Sequence, residues 1–158
     1  VLRLETEVES FFRGLVQERL DEPVLGYVVS ILVDYTTQPL SREPLCLRLG
    51  DLSVRRVVVL KEVGDEALLV SGFLRGPDPR YYAQIGATAY GELSTRIRDP
   101  LFRIMAHGFP GIQRALGDVR RELELQGTDY QALIREAHLG DSEKAWKRLE
   151  SLGLVLPS

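Results

Sequence analysis

Apolar side chains return every three or four positions along most of this chain, the spacing of helices that pack on a core by one side. Over residues 4–20 the stripe is Leu4, Val8, Phe11, Phe12, Leu15 and Leu20. Glu5, Glu7 and Glu9 lie in the first turns and Arg19 in the last, the arrangement a helix dipole favours. Asp21-Glu22-Pro23 reads as a restart, with Pro23 in a first turn where its missing N–H costs nothing. Val24, Leu25, Val28, Ile31, Leu32 and Tyr35 then continue at helical spacing, so the first two helices are expected to form a hairpin. Residues 36–50, with Pro39, Pro44 and Gly50, read as a loop.

Residues 52–74 carry two patterns. Val54 to Leu60 and Ala67 to Leu74 could be strands around Val63-Gly64-Asp65-Glu66, and the β-branched run Val57-Val58-Val59 suits that. Alternatively, Leu60, Val63, Ala67, Val70 and Leu74 form a helical seam with Lys61, Glu62, Asp65 and Glu66 on the other side. Strands should alternate strictly and Ala67-Leu68-Leu69-Val70 does not, so a helix bent near Gly64 is the preferred reading.

The second half is better punctuated. Asp78-Pro79 supplies an N-cap and a first-turn proline before the stripe Tyr82, Ile85, Ala89 and Leu93. Asp99-Pro100 repeats the signal before Leu101, Ile104 and Met105, and His107-Gly108 is a stop. Pro110 opens a helix through Ile112, Leu116, Val119 and Leu123 to Gly127. A capping box at Thr128 to Gln131 and a cap at Asp141 predict two short helices, so 127–153 forms a helical-hairpin lobe. The expected fold is all-α, about seven helices in an irregular bundle forming a single domain over 1–158, with a short β-hairpin at 54–74 as the alternative for that stretch.

Composition narrows function more than fold. Hydrophobic residues make up 44% and charged residues 27%, a globular balance, and the length of 158 suits one domain. Acidic residues number 23 against 20 basic, a net charge of −3, so nucleic acid is not an expected partner. The single Cys46 allows neither an internal disulfide nor a cysteine-based zinc site, which suits a reducing compartment. No apolar run approaches the ~20 residues of a membrane span, and no signal peptide opens the chain. A cytoplasmic location without membrane contact is expected.

Along Gly64-Asp65, Ser71-Gly72-Phe73, Tyr81-Tyr82, Ile85-Gly86 and Ala89-Tyr90 the sequence resembles a group of uncharacterised bacterial proteins. The resembling core is about 60–94, with weaker likeness at Phe11-Phe12 and from Arg148-Leu149 to Leu154. In that group the double tyrosine follows a longer, more acidic connection than the Arg75 to Arg80 segment here. The resemblance implies a helical 60–94 and no particular activity.

Few residues invite chemistry. His107 and His138 lack metal or hydrolytic spacing and fall at predicted helix C-termini, where the dipole suits them. Glu62, Asp65 and Glu66, with Asp78 near in sequence, make a carboxylate cluster that reads as a solvated face. The glycines form no phosphate-binding motif. In a helix, glycine costs ~1 kcal/mol against alanine, so Gly64, Gly72, Gly86 and Gly91 call for a reason such as close helix approach. Ala83, Gly86, Ala87 and Tyr90 would give a shallow groove for another helix, a ligand or a second subunit. Tyr81, Tyr90 and Phe73 could add an aromatic patch, because tyrosine joins an apolar ring to a polar tip. Phe73, Tyr81, Gly86 and Tyr90 are therefore the candidate binding residues. No catalytic, cofactor or metal residues are assigned.

Three function classes follow. The first is a module that binds another protein or a second copy of itself. The second is a small-molecule binding or sensing domain, with its pocket near Tyr81, Tyr90 and the 64–72 bend. The third is an enzyme using Asp65, Tyr81 or His107.

Overall fold

A computed structural model describes residues 2–35, 45, 48, 56–74, 76 and 78–125. The described residues are helical throughout their regular structure and contain no strand. The elements are α1 (Leu2–Val16), α2 (Val24–Tyr35), α3 (Arg56–Leu68), a π-helical turn (Leu69–Phe73), α4 (Pro79–Arg96), α5 (Pro100–His107) and α6 (Phe109–Leu125). The lobe expected at 127–153 lies outside the described residues, as do Cys46 and His138; of the loop expected at 36–50 only Leu45 and Arg48 are described, and both are helical. Among the described residues no helix is long and apolar enough to cross a membrane.

The chain divides into two compact units. One holds residues 1–40 and 119–158, the other residues 41–118. In the first, α1 and α2 form the expected hairpin. Phe12 and Val16 are buried on α1, and Val24, Val28, Val29 and Leu32 on α2. Polar groups finish the helix ends, where backbone groups have no intrahelical partner. Arg19 donates to the Leu15 carbonyl at 2.9 Å and pairs with Glu122 at 2.9 Å. The Glu22 carboxylate accepts from the Gly26 N–H at 3.2 Å and pairs with Arg13 at 3.0 Å.

The second unit is built on α3, α4 and α5, with α4 packed against both neighbours. The β-hairpin alternative for 54–74 is corrected here: residues 56–73 are helical without a break. The seam Leu60, Val63 and Ala67 is fully buried, and that burial outweighs the β-propensity of Val57-Val58-Val59. Gly64 lies inside regular α-helix, and the winding changes later, at Leu69–Phe73. There Leu74 donates to the Leu69 carbonyl and Gly76 to Val70, while the Ser71 hydroxyl bonds the Ala67 carbonyl at 2.6 Å. A serine hydroxyl competing for a backbone acceptor is a recognised source of helix irregularity.

Both Asp-Pro signals work as read. Asp78 caps α4 by accepting from the Tyr81 N–H at 3.2 Å, in a left-handed conformation with φ of 51°. Asp99 caps α5 by accepting from Leu101 at 2.9 Å. The stripe of α6 is buried at Ile112, Leu116, Val119 and Leu123.

Candidate functional site

Three of the four candidate residues are core, not surface. Tyr90 is 0% exposed, although the stripe predicted from Tyr82 placed it on another side of α4. Its ring stacks on Phe102 with centroids 6.1 Å apart and lies 6.0 Å from Phe109. Its hydroxyl donates to the Asp65 carboxylate at 2.7 Å, so the polar tip is satisfied inside the unit. Two glycines make room for these rings. A Cβ at Gly64 would stand 2.5 Å from the Tyr90 ring, and one at Gly86 would overlap Phe109. The small-residue groove is thus filled by the chain's own aromatics. Phe73 is 1% exposed, at the end of the π-helical turn.

Tyr81 alone keeps an exposed position, at 41%, edge-on to Tyr82 with centroids 5.4 Å apart. The four residues therefore make no single patch. Ile85, Gly86, Ala89, Tyr90 and Leu93 are all buried, so the core face of α4 is wider than a single stripe, and the glycines mark where large rings arrive.

The carboxylate cluster is structural. Glu66 and Glu62 hold the two ends of the Arg48 guanidinium at 2.8 and 3.1 Å, and Arg48 is itself buried. Asp65 takes Lys61 at 2.9 Å besides the Tyr90 hydroxyl. Glu92 is gripped through both oxygens by Arg56, at 2.7 and 2.8 Å. The hydrogen bond from Arg56 and the nearby charges of Arg56 and Arg96 hold the Glu92 carboxyl below its ordinary value, against the opposing effect of burial. Gln113 closes the far end of the unit, donating to the Ser71 hydroxyl at 2.7 Å and the Pro79 carbonyl at 3.1 Å. Among the described residues no three His, Cys, Asp or Glu side chains gather where they could hold a metal ion.

The sequence reading passed over the outer side of α5. Phe102 and Met105 turn inward, and Arg103, Ile104 and His107 are exposed. Gly108 ends α5 by donating to the Ile104 carbonyl and begins α6 by accepting from the Ile112 N–H, both at 2.9 Å. Gly111 and Arg114 are exposed on α6. A hollow of about 200 Å³ at the α4–α5 turn is lined by Ser94, Ile97, Arg98, Asp99, Pro100 and Arg103. Among the described residues Arg98, Arg103 and Arg114 form no ion pair, whereas Arg48, Arg56, Lys61 and Arg96 all hold carboxylates.

Comparison with known proteins finds no match to a family model, a curated protein or a solved structure.

Proposed function

We propose that this protein is a helical interaction module of the cytoplasm, working by contact with another protein, whether a second copy or a different chain. The observation that carries the reading is where large apolar side chains remain in solvent. Val57 and Val58 on α3, Tyr81 on α4 and Ile104 on α5 are each between 37% and 44% exposed, although the same helices bury Leu60, Val63, Ile85, Leu93 and Met105. The space beside Gly64 and Gly86 is taken by the Tyr90 and Phe109 rings, which favours the interaction reading over a sensing domain with its pocket near Tyr90. The enzyme reading is weaker for a similar reason. Asp65 is committed to Lys61 and Tyr90, and a general acid or base must be within reach of a substrate.

Light-scattering mass across a range of concentrations tests the self-associating form. A mass that rises above the 17.8 kDa of one chain, and falls back in Tyr81→Ala or Ile104→Ser, is the expected result for it. A mass of one chain at every concentration removes self-association and leaves a different protein as the partner.

A further inference from the structure

Resting on that interaction reading, we propose that the outer side of α5, together with Arg98 at the turn before it, docks an acidic protein segment that also carries an apolar side chain. Three observations converge on it.

First, the charge there is uncompensated. Residues 96–117 contain four arginines and one aspartate in a chain whose total is −3. The described carboxylates of the same unit are already engaged. Glu62 and Glu66 hold Arg48, Asp65 holds Lys61 and Glu92 holds Arg56. Asp78 and Asp99 accept backbone N–H groups as caps, and Asp118 has a partner as well. Arg98, Arg103 and Arg114 are left exposed with no ion pair among the described residues. An arginine fork pairs most favourably with a planar carboxylate, in bidentate fashion.

Second, the surface has relief. The hollow at the α4–α5 turn sits between Arg98 and Arg103, so a carboxylate entering it meets guanidinium groups at its rim. Asp99 also lines it, but its carboxylate is turned to the Leu101 N–H as the α5 cap.

Third, Ile104 lies next to Arg103 with 42% of its surface in water. A phosphate polymer gains nothing from an exposed isoleucine, and the net negative charge opposes its approach at long range. A protein segment can use both, an apolar contact inside a charged rim, which is the usual anatomy of a protein interface.

The test is fluorescence anisotropy of a labelled synthetic helix with glutamates along one side and leucines beside them, titrated with the full chain. Saturable binding is expected. It should weaken about tenfold or more in the Arg98→Glu/Arg103→Glu double variant and clearly in Ile104→Ser. Arg80→Glu serves as the control, because Arg80 is also exposed on α4, forms no ion pair among the described residues and lies away from this face in sequence. Circular dichroism confirms that each variant keeps its helices.

Four results overturn the proposal. The peptide fails to bind; it binds equally with its leucines replaced by serine; Arg80→Glu weakens it as much as the double variant; or oligothymidylate or anionic vesicles displace it at equal charge. If the peptide fails while the light-scattering mass still rises with concentration and responds to Tyr81→Ala, the docking face is wrong and the interaction reading stands.

Discussion

At Gly86 two residue-scale effects pull in opposite directions. Helix propensity alone says that alanine would stabilise α4 by ~1 kcal/mol. The new methyl group would overlap the Phe109 ring, with the Ala67 methyl only 3.2 Å away, and overpacking a closed core costs ~1–3 kcal/mol. The clash should win, so Gly86→Ala is expected to lower the urea midpoint. Gly91, on the same helix, has nothing within 4 Å of its would-be Cβ. Gly91→Ala should therefore raise the midpoint, through a gain in stability of ~0.5–1 kcal/mol. Measuring both in one denaturation series separates propensity from packing, and a Gly86→Ala that stabilises would show that Phe109 can move aside. Tyr90→Phe makes a cleaner deletion, removing only the hydroxyl bonded to Asp65. A hydrogen bond to a charged group is worth more than a neutral one, so a loss of ~1–2 kcal/mol is expected from the same titration.

At the scale of elements, punctuation was legible and faces were less so. Asp78-Pro79 and Asp99-Pro100 announced α4 and α5 because a cap and a first-turn proline act locally, without help from the fold. The 52–74 stretch carried two periodicities, and only the burial of Leu60, Val63 and Ala67 against α4 decides between them. Three of the four candidate residues lie in the core for a related reason. A stripe drawn through Tyr82 leaves Tyr90 outside, because the pattern does not show that Gly64 and Gly86 admit rings from the side. The outer side of α5 was unread because unpaired arginines differ from paired ones only in what faces them. The Arg56–Glu92 grip between α3 and α4 makes its own prediction. The Glu92 carboxyl is held below its ordinary 4.5, chiefly by the Arg56 hydrogen bond. The folded state thus binds its proton more weakly than the unfolded state. The pair's stabilisation is full above pH 4.5 and disappears as pH falls through the lower folded value. Glu92→Gln should lower stability at neutral pH and flatten its dependence below pH 4.5, read from thermal midpoints across that range. An unchanged pH slope would mean that the grip contributes little in solution.

For the whole molecule, the uneven distribution of charge matters more than its small total. Four arginines between residues 96 and 117 sit in a chain that is otherwise acidic, so an acidic partner meets attraction at one place and repulsion elsewhere. Such a field orients an encounter more than it holds the complex together, so its effect belongs mainly to the association rate. Salt separates the two contributions, because the screening length falls from about 10 Å at 0.1 M to about 3 Å at 1 M. Stopped-flow binding of the acidic helix should show an association rate that drops steeply with salt. Dissociation should change less, because the Ile104 contact is apolar and does not weaken with ionic strength. The thermal midpoint should move little over the same range, since the closed core of α3, α4 and α5 rests on buried apolar side chains and on partly buried pairs that salt screens poorly. If dissociation accelerates as strongly as association slows, charge alone holds the complex and the isoleucine has no part in it.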